Sequence, residues 1–348
     1  MIRSRIAGIG KYVPAQIVTN QDLTKYMDTS DEWIQERTGI QERRYAHRTN
    51  ETTTTMGVEA SRIAIERAGI TAADVDFIVF ATLSPDYYFP GCGVLLQRAM
   101  KMKQVGALDV RNQCSGFVYA LSVADQFIKS GMYKNILVVG AEKHSFGLDF
   151  STRGRNVSVI FGDGAGAVLL QPTDDTNRGI LSTHLHSDGA DAEILAMYNP
   201  GTHANYWKEN LASFNEGEMG DMFMSHEMID NAQLFPNMDG PAVFKTAVVK
   251  FPEVIMEALQ TNGYQPSDLR LLVPHQANLR IAQFVQQKLK LSDEQVYNNI
   301  QKYGNTTAAS VPIALCEAYE MGKLKEGDLV CLAAFGSGFT WASALLKW

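Results

Sequence analysis

The chain is short of cysteine and of uninterrupted apolar sequence, and each shortage removes a class of protein. Four cysteines, Cys92, Cys114, Cys316 and Cys331, are scattered through 348 residues without a CxxC pair, so neither a disulfide framework nor a cysteine-ligated metal site is expected. No run approaches the roughly 18 apolar residues of a membrane helix, and the opening MIRSRIAGIGKYVP lacks the apolar core of a secretory signal. The expectation is a reduced, cytoplasmic protein with no membrane partner. Basic charge is scarce too: 31 Lys and Arg against 38 Asp and Glu leave a net charge of −7, which argues against nucleic acid as a partner. Core material is abundant. At 45% hydrophobic content, the chain can build two domains or one large duplicated unit.

Duplication is visible in the residues. ASRIAIERAGITAADVDFIVFAT (Ala60 to Thr82) lies over VIMEALQTNGYQPSDLRLLVPHQ (Val254 to Gln276) at one constant offset, matching Gly69 to Gly263 and Asp74 to Asp268. Each copy reads as an amphipathic helix, a glycine stop, an acidic turn and a buried strand. A looser echo follows, with a helix, Gly131 and ILVVGAE in one half against a helix, Gly322 and LVCLAAFG in the other. Alternating strands and helices predict an α/β fold with buried sheets. The halves are expected at residues 1–172 and 173–348, with an insertion or lid around 198–239 that carries Phe214, Phe223, Met224, Met228 and Phe235. A solvated connection with a helix or two is the alternative for that segment.

Three residues at the ends of apolar runs carry chemistry. Cys114, in ALDVRNQCSGFVYA, stands between a strand-like and a helix-like run, where the positive end of a helix is expected to lower the thiol pKa below its ordinary value of about 8.5. His275 follows the strand LRLLVP and Asn305 lies in the polar turn KYGNTT; both are expected to project from strand ends into one cleft. Cys, His and Asn together suggest an enzyme working through an acyl thioester on cysteine. Cys92, Cys316 and Cys331 read as core residues. FGDGAGAV (Phe161 to Val168) imitates a dinucleotide fingerprint but does not open a helix, so its glycines are read as tight-turn residues and no cofactor is expected. His184 and His186 are read as alternate faces of a strand, and His144 as structural.

The ordered blocks TSDEWIQERTGIQER, CSGFVYALSVADQFIKSG, IFGDGAGAVLL, STHLHSDG, LVPHQANLRI, YGNTTAASVP and AFGSGFTW resemble the β-ketoacyl-acyl-carrier-protein synthase III family of thiolase-fold condensing enzymes over nearly the whole chain. The resemblance implies an αβαβα layered fold of two duplicated halves with mixed five-stranded sheets, a homodimer, and condensation of an acyl-CoA starter with malonyl-acyl-carrier protein. It implies Cys114 as the acylated nucleophile and His275 and Asn305 as hydrogen-bond donors to the malonyl thioester. The backbone amides of Cys114 and Ser337 would form a second oxyanion hole, with Phe335 beside the decarboxylation site. Trp33, Arg37 and Arg155, with Arg153 as a neighbour, would hold the adenine and phosphates of coenzyme A, Asn278 the pantetheine, and Phe244 and Lys245 the channel mouth. Phe89 would reach a partner's acyl pocket. Lys245, Arg280, Lys288 and Lys290 would meet the carrier protein, with a solvated helix face as the alternative for Lys288 and Lys290.

Family members usually carry small apolar residues where this chain has Arg111, Asn112 and Gln113, which leaves the starter open. Acetyl-CoA, a longer acyl-CoA and a specialised starter with malonyl-CoA all remain readings, as does a catalytically silent acyl-CoA-binding subunit. The second cysteine of thiolases and the glutamate base of hydroxymethylglutaryl-CoA synthases are not apparent.

Overall fold

The computed structural model describes residues 2–202, 224 and 226–348. Most of the expected lid, including Phe214 and Phe223, lies outside the described residues. Nine strands among the described residues form two sheets. The first is five-stranded in the order β1 (Arg3–Tyr12), β7 (Gly164–Thr173), β6 (Ile136–Glu142), β4 (Phe77–Ala81) and β5 (Gly106–Val110), with the pairs β6/β4 and β4/β5 parallel and the rest antiparallel.

The second sheet repeats that order with β8 (Gly179–Ser187), β13 (Thr340–Lys347), β12 (Leu329–Gly336) and β11 (Leu271–Pro274). It has four strands among the described residues where five were expected. A single parallel bridge, Leu272 to Val296, marks the fifth position. Two short pairs, β2 (Gln16–Thr19) with β3 (Glu42–Tyr45) and β9 (Leu195–Ala196) with β10 (Asn237–Met238), lie outside these sheets.

Alternation along the strands explains the layering. In β4, Phe77, Val79 and Ala81 face a central core, while Ile78 and Phe80 face an outer one. In β12, Val330, Leu332 and Ala334 face the same central core, while Cys331, Ala333 and Phe335 face the opposite outer side. Helices Gly116–Lys129 and Ser310–Glu320 fill the central layer between the sheets. Thr53–Arg67 and Cys92–Ala99 cover one outer face, and Gly240–Thr261 and Leu279–Leu289 the other. Five layers result, helix, sheet, helix, sheet, helix, as the resemblance implied.

The duplication holds in detail. Gly69 and Gly263 both end their helices with positive φ, +70° and +75°, a conformation glycine adopts without steric cost. Each is followed by a short 3-10 turn, Ala72–Asp74 and Pro266–Asp268, and then by β4 or β11. The looser echo holds as well, since Gly131 and Gly322 take φ +76° and +68° before β6 and β12.

Two local expectations are corrected. Gly164 and Gly166 belong to β7 rather than to a tight turn. A Cβ at Gly166 would lie 2.6 Å from Pro312 Cβ, so the missing side chain lets a strand of one half touch a helix of the other. His184 and His186 share a face of β8, as residues two apart on a strand must, and both meet Glu257.

Candidate active site

Cys114 lies in a 3-10 turn, Gln113–Ser115, directly before helix Gly116–Lys129. Gln113 takes φ +43°, turning the chain sharply out of β5's end. Across from it, the bend after β12 comes so close that a Cβ on Gly336 would sit 2.5 Å from Cys114 Cβ and 2.9 Å from its sulfur. That contact brings the Ser337 amide, together with the amide of Cys114 itself, into hydrogen-bond reach of the sulfur. Side chains tie the bend down: Ser115 Oγ meets Thr340 Oγ1 at 2.6 Å, Thr340 Oγ1 donates to the Ser337 carbonyl, and Ser337 Oγ donates to the Leu195 carbonyl.

The expected lowering of the thiol pKa is overturned. Burial, aided by the negative charge of Glu142, pushes Cys114 up to about 12, against the weaker pull of the Ser337 and Cys114 amides and the Thr307 hydroxyl. A helix start stabilises thiolate only where the sulfur is not dehydrated more strongly. Nor does a helix start distinguish this cysteine, since Cys92 opens helix Cys92–Ala99. What distinguishes Cys114 is the pair of amides aimed at its sulfur. All four cysteines are free and buried, as the core reading of the other three requires.

His275 follows β11 as expected, fixed by its amide to the Ala333 carbonyl at 2.8 Å. Its Nδ1 lies 2.6 Å from Ser310 Oγ, which also receives the Gln276 amide at 3.4 Å. When Ser310 gives its proton to Nδ1 while accepting the Gln276 amide, the ring hydrogen sits on Nε2. Nε2 is buried and has no partner among the described residues. Burial lowers the ring's pKa to about 3, so it is a neutral donor at physiological pH.

Asn305 does not leave a strand end. It follows the single helical turn Ile300–Tyr303 and Gly304, and bridges to Phe161, with its amide on the Ile160 carbonyl and its carbonyl on the Gly162 amide. A Cβ at Gly162 would collide with the Tyr303 carbonyl at 2.2 Å, so the glycine is what permits this approach. Asn305 Oδ1 accepts from the Thr307 amide at 2.8 Å, which turns its NH2 group the other way. Thr307 then reaches both Cys114 and His144, the latter at 2.6 Å from Nε2. Thr307 thus joins Cys114 to Asn305, and Ser310, three residues further on at the start of helix Ser310–Glu320, holds His275.

Sequence reasoning missed four residues of this cluster. Thr307 and Ser310 lie inside the block that carries Asn305, and their hydroxyls were the available signal. Glu142 ends β6 fully buried, and burial raises its carboxyl to about 7. His144, read as structural, touches Thr307 and is held neutral by burial, its pKa lowered to about 3.

The other expected residues fall into groups. Trp33, Arg37 and Arg155 converge: the two guanidiniums lie 4.4 and 5.1 Å from the indole ring centre. Arg153 turns away to Asp149 and the Asp230 carbonyl. Asn278 caps helix Leu279–Leu289 through the Arg280 amide and donates to the Arg37 carbonyl at 2.9 Å, anchoring the helix that carries Trp33. Phe244 lies under Arg280, 5.8 Å from ring centre to guanidinium. Lys245, Lys288 and Lys290 are exposed. Phe335 is buried on β12, 5.0 Å from the Phe339 ring. Phe89 is 81% exposed. Among the described residues no cluster suits a metal ion and no helix is long and apolar enough to cross a membrane.

A layered thiolase-like fold that buries a cysteine against two backbone amides and also holds a neutral imidazole with a buried, unpartnered nitrogen defines a condensing acyltransferase. The comparisons give the family. Residues 108–189 match the family described as 3-oxoacyl-[acyl-carrier-protein] synthase III, and residues 259–348 its C-terminal family. The chain is 46% identical over its full length to 99% of the β-ketoacyl-[acyl-carrier-protein] synthase III of Xanthomonas euvesicatoria pv. vesicatoria. It is 42% identical to the crystal structure of 3-oxoacyl-[acyl-carrier-protein] synthase III from Aquifex aeolicus, with a TM-score of 0.87 and coverage of 99% of this chain and 100% of that one. It is also similar to the priming β-ketosynthase of the R1128 polyketide pathway, at 32% identity, TM-score 0.85, and coverage of 99% and 96%. The chain belongs to the β-ketoacyl-acyl-carrier-protein synthase III family.

Proposed function

We propose that the chain catalyses the decarboxylating Claisen condensation that starts fatty-acid synthesis, with an acyl-CoA starter and malonyl-acyl-carrier protein as substrates. The observation that carries this is the buried Nε2 of His275, unpartnered among the described residues on a ring that burial keeps neutral; with its hydrogen there it is a donor that a thioester oxygen satisfies.

In the first half-reaction the Cys114 sulfur attacks the acyl-CoA carbonyl, the amides of Cys114 and Ser337 hold the oxyanion, and the thiol proton leaves on coenzyme A. In the second, malonyl thioester loses CO2, and the enolate oxygen is held by His275 Nε2–H and the Asn305 NH2. Its carbon attacks the S-acyl carbonyl and Cys114 departs, regaining a proton. Fixed neutral donors stabilise the enolate without having to take a proton, which is all that loss of CO2 requires.

Trp33 stacks the adenine, Arg37 and Arg155 pair with the phosphates, and Asn278 and Phe244 border the pantetheine. Phe335 packs beside the decarboxylation site. On helix Leu279–Leu289, Arg280, the 40% exposed Phe284 and Lys288 recur at four-residue spacing, and with Lys245 and Lys290 they suit an acidic carrier protein with an apolar contact at its centre. The working unit is a homodimer. Support comes from the edge of the first sheet at β5, unpaired among the described residues, with Leu108, Val94, Tyr87, Tyr88 and Phe89 exposed around it; Phe89 then enters the partner's acyl pocket. Two units, 1–172 and 173–348, and a cytoplasmic location complete the proposal.

A specialised starter is a second reading. Asn112 Nδ2 is bonded to Ser115 Oγ at 3.0 Å, polar chemistry beside the nucleophile where the family has small apolar residues. Loading of Cys114 by acetyl-, butyryl-, octanoyl- and dodecanoyl-CoA, then condensation with malonyl-carrier protein or malonyl-CoA, tests both. Failure of every starter to load refutes the condensing function, and a sharp preference for acetyl with the carrier refutes the specialised one.

A further inference from the structure

Glu142 is a carboxylate buried at the active site for which the reaction above has no use. Among the described residues it has no cationic partner. Its oxygens accept from Thr82 Oγ1 at 3.1 Å, from the Leu83 and Ser84 amides at 3.2 and 3.1 Å, from Ser84 Oγ, and from the Ala308 amide. Five donors exceed the roughly four lone-pair positions of a carboxylate, so no position is left over for a substrate proton. That excludes a role as general base.

The donors come from two distant parts of the chain. Residues 82–84 leave β4 and lead, through Asp86 clasped by Thr52 and the Thr54 amide, to the exposed Tyr87, Tyr88 and Phe89. Ala308 sits in the 3-10 turn Thr307–Ala309 of the other half, next to the threonine that touches both Cys114 and Asn305. The same turn is pressed against β6, where a Cβ at Gly140 would lie 2.4 Å from the Ala308 carbonyl.

We propose that Glu142 is a positioning residue for the condensing site: its carboxylate clasps residues 82–84 to the 307–309 turn, thereby setting Thr307 and Asn305 against Cys114 and placing a negative charge beside the sulfur. The inference rests on the condensing function proposed above. The clasp makes a glutamate irreplaceable by its amide. In Glu142→Gln an NH2 replaces one oxygen and faces backbone N–H groups that cannot turn away, so one of the two segments withdraws. Glu142→Asp keeps the charge and both acceptors but shortens the reach.

The test measures three quantities in the full-length enzyme: acyl-CoA loading, malonyl decarboxylation, and the pH profile of Cys114 alkylation by iodoacetamide. The alkylation profile needs no condensing activity, so it tests the clasp even if the proposed function fails. In Glu142→Gln, decarboxylation is expected to fall at least tenfold more than loading, and the alkylation midpoint to move down by about one pH unit as the neighbouring charge is lost. Glu142→Asp should keep the parent alkylation midpoint and recover part of the decarboxylation. Should Glu142→Gln not fold, Ser84→Ala and Thr82→Val each remove one side-chain donor and leave the charge in place; they are expected to lower decarboxylation relative to loading without moving the midpoint. Equal losses of both rates in Gln and Asp variants with an unchanged alkylation profile would show a merely structural residue and overturn the proposal. So would parent-like ratios in a folded Ser84→Ala, Thr82→Val pair.

Discussion

Replacing Gly336 by alanine tests how tightly the nucleophile is held. The added methyl would lie 2.5 Å from Cys114 Cβ, 2.9 Å from its sulfur and 3.2 Å from its amide nitrogen. Carbon atoms in contact rest about 3.5 to 4.0 Å apart, so the two backbones must separate by about 1 Å. A Cβ at the following Gly116 would lie 3.4 Å from Ala81 Cβ and 3.6 Å from Ala308 Cβ, so the space behind Cys114 holds no more than a methyl group. A 1 Å displacement of a reacting group costs on the order of 100-fold in rate, equivalent to about 2.7 kcal/mol in the barrier. Overpacking of this kind costs about 1 to 3 kcal/mol of stability, which a protein of this size survives.

Acyl-CoA loading should therefore fall about 100-fold, read as the rate at which the acyl mass appears on the Cys114 peptide in rapid-quench mass spectrometry. Decarboxylation of malonyl thioester, which depends on His275 and Asn305, should fall less. Gly189→Ala, with nothing within 4 Å of the added methyl, serves as the control and should load at the parent rate. A Gly336→Ala enzyme that melts like the parent and loads at the parent rate would refute the close approach and, with it, the pairing of the Ser337 amide with the nucleophile.

The remaining expectations concern the donors, the nucleotide clamp and acid stability. His275→Ala and Asn305→Ala should each lower decarboxylation on the order of 100- to 1000-fold while sparing loading; normal CO2 release by either variant removes that residue from the enolate site. Trp33→Ala, Arg37→Ala and Arg155→Ala should weaken acyl-CoA loading, the arginine effects shrinking with added salt because those side chains are partly exposed. Unchanged loading in all three places coenzyme A elsewhere. Because His144 and His275 stay neutral in the fold down to about 3, the unfolded chain binds more protons below about 6.5, and stability falls as pH drops through that window. Glu142, raised to about 7, opposes this down to its ordinary value of 4.5, so the urea midpoint should decline gently from pH 6.5 to 4.5 and more steeply below. His144→Gln should flatten the decline, and a midpoint independent of pH across that range would count against buried neutral histidines.

The repeat was legible because it is written in side chains that serve local geometry: an apolar helical face, a glycine in the left-handed region, an acidic turn, a β-branched strand. Gly69 and Gly263 announce the same turn by the same physics. The converging Trp33, Arg37 and Arg155 were legible only through the family's motifs, since nothing local brings residues 33 and 155 together. The misreadings have one source. A sequence window reports propensity and not depth, so it showed a helix start at Cys114 but not the dehydration that outweighs it. Gly164 and Gly166 look like turn residues for the same reason; the helix pressed on their strand is far away in sequence. Glu142 was invisible because a glutamate after ILVVGA reads as the strand's exit to water, when its true surroundings are amides from residues 83, 84 and 308.

Those amides have a consequence for how the molecule breathes. Leu83, Ser84 and Ala308 have their N–H groups closed on one buried carboxylate, and neither segment can move off without stranding the other's bonds in a dry seam. Local fraying releases surface amides one segment at a time, whereas these should exchange with solvent together and only in openings that part the two halves. The slowest-exchanging loop residues of this protein should thus be ones that carry no regular secondary structure or lie in a single 3-10 turn. Their rate of deuterium uptake reports the free energy that keeps one half docked on the other.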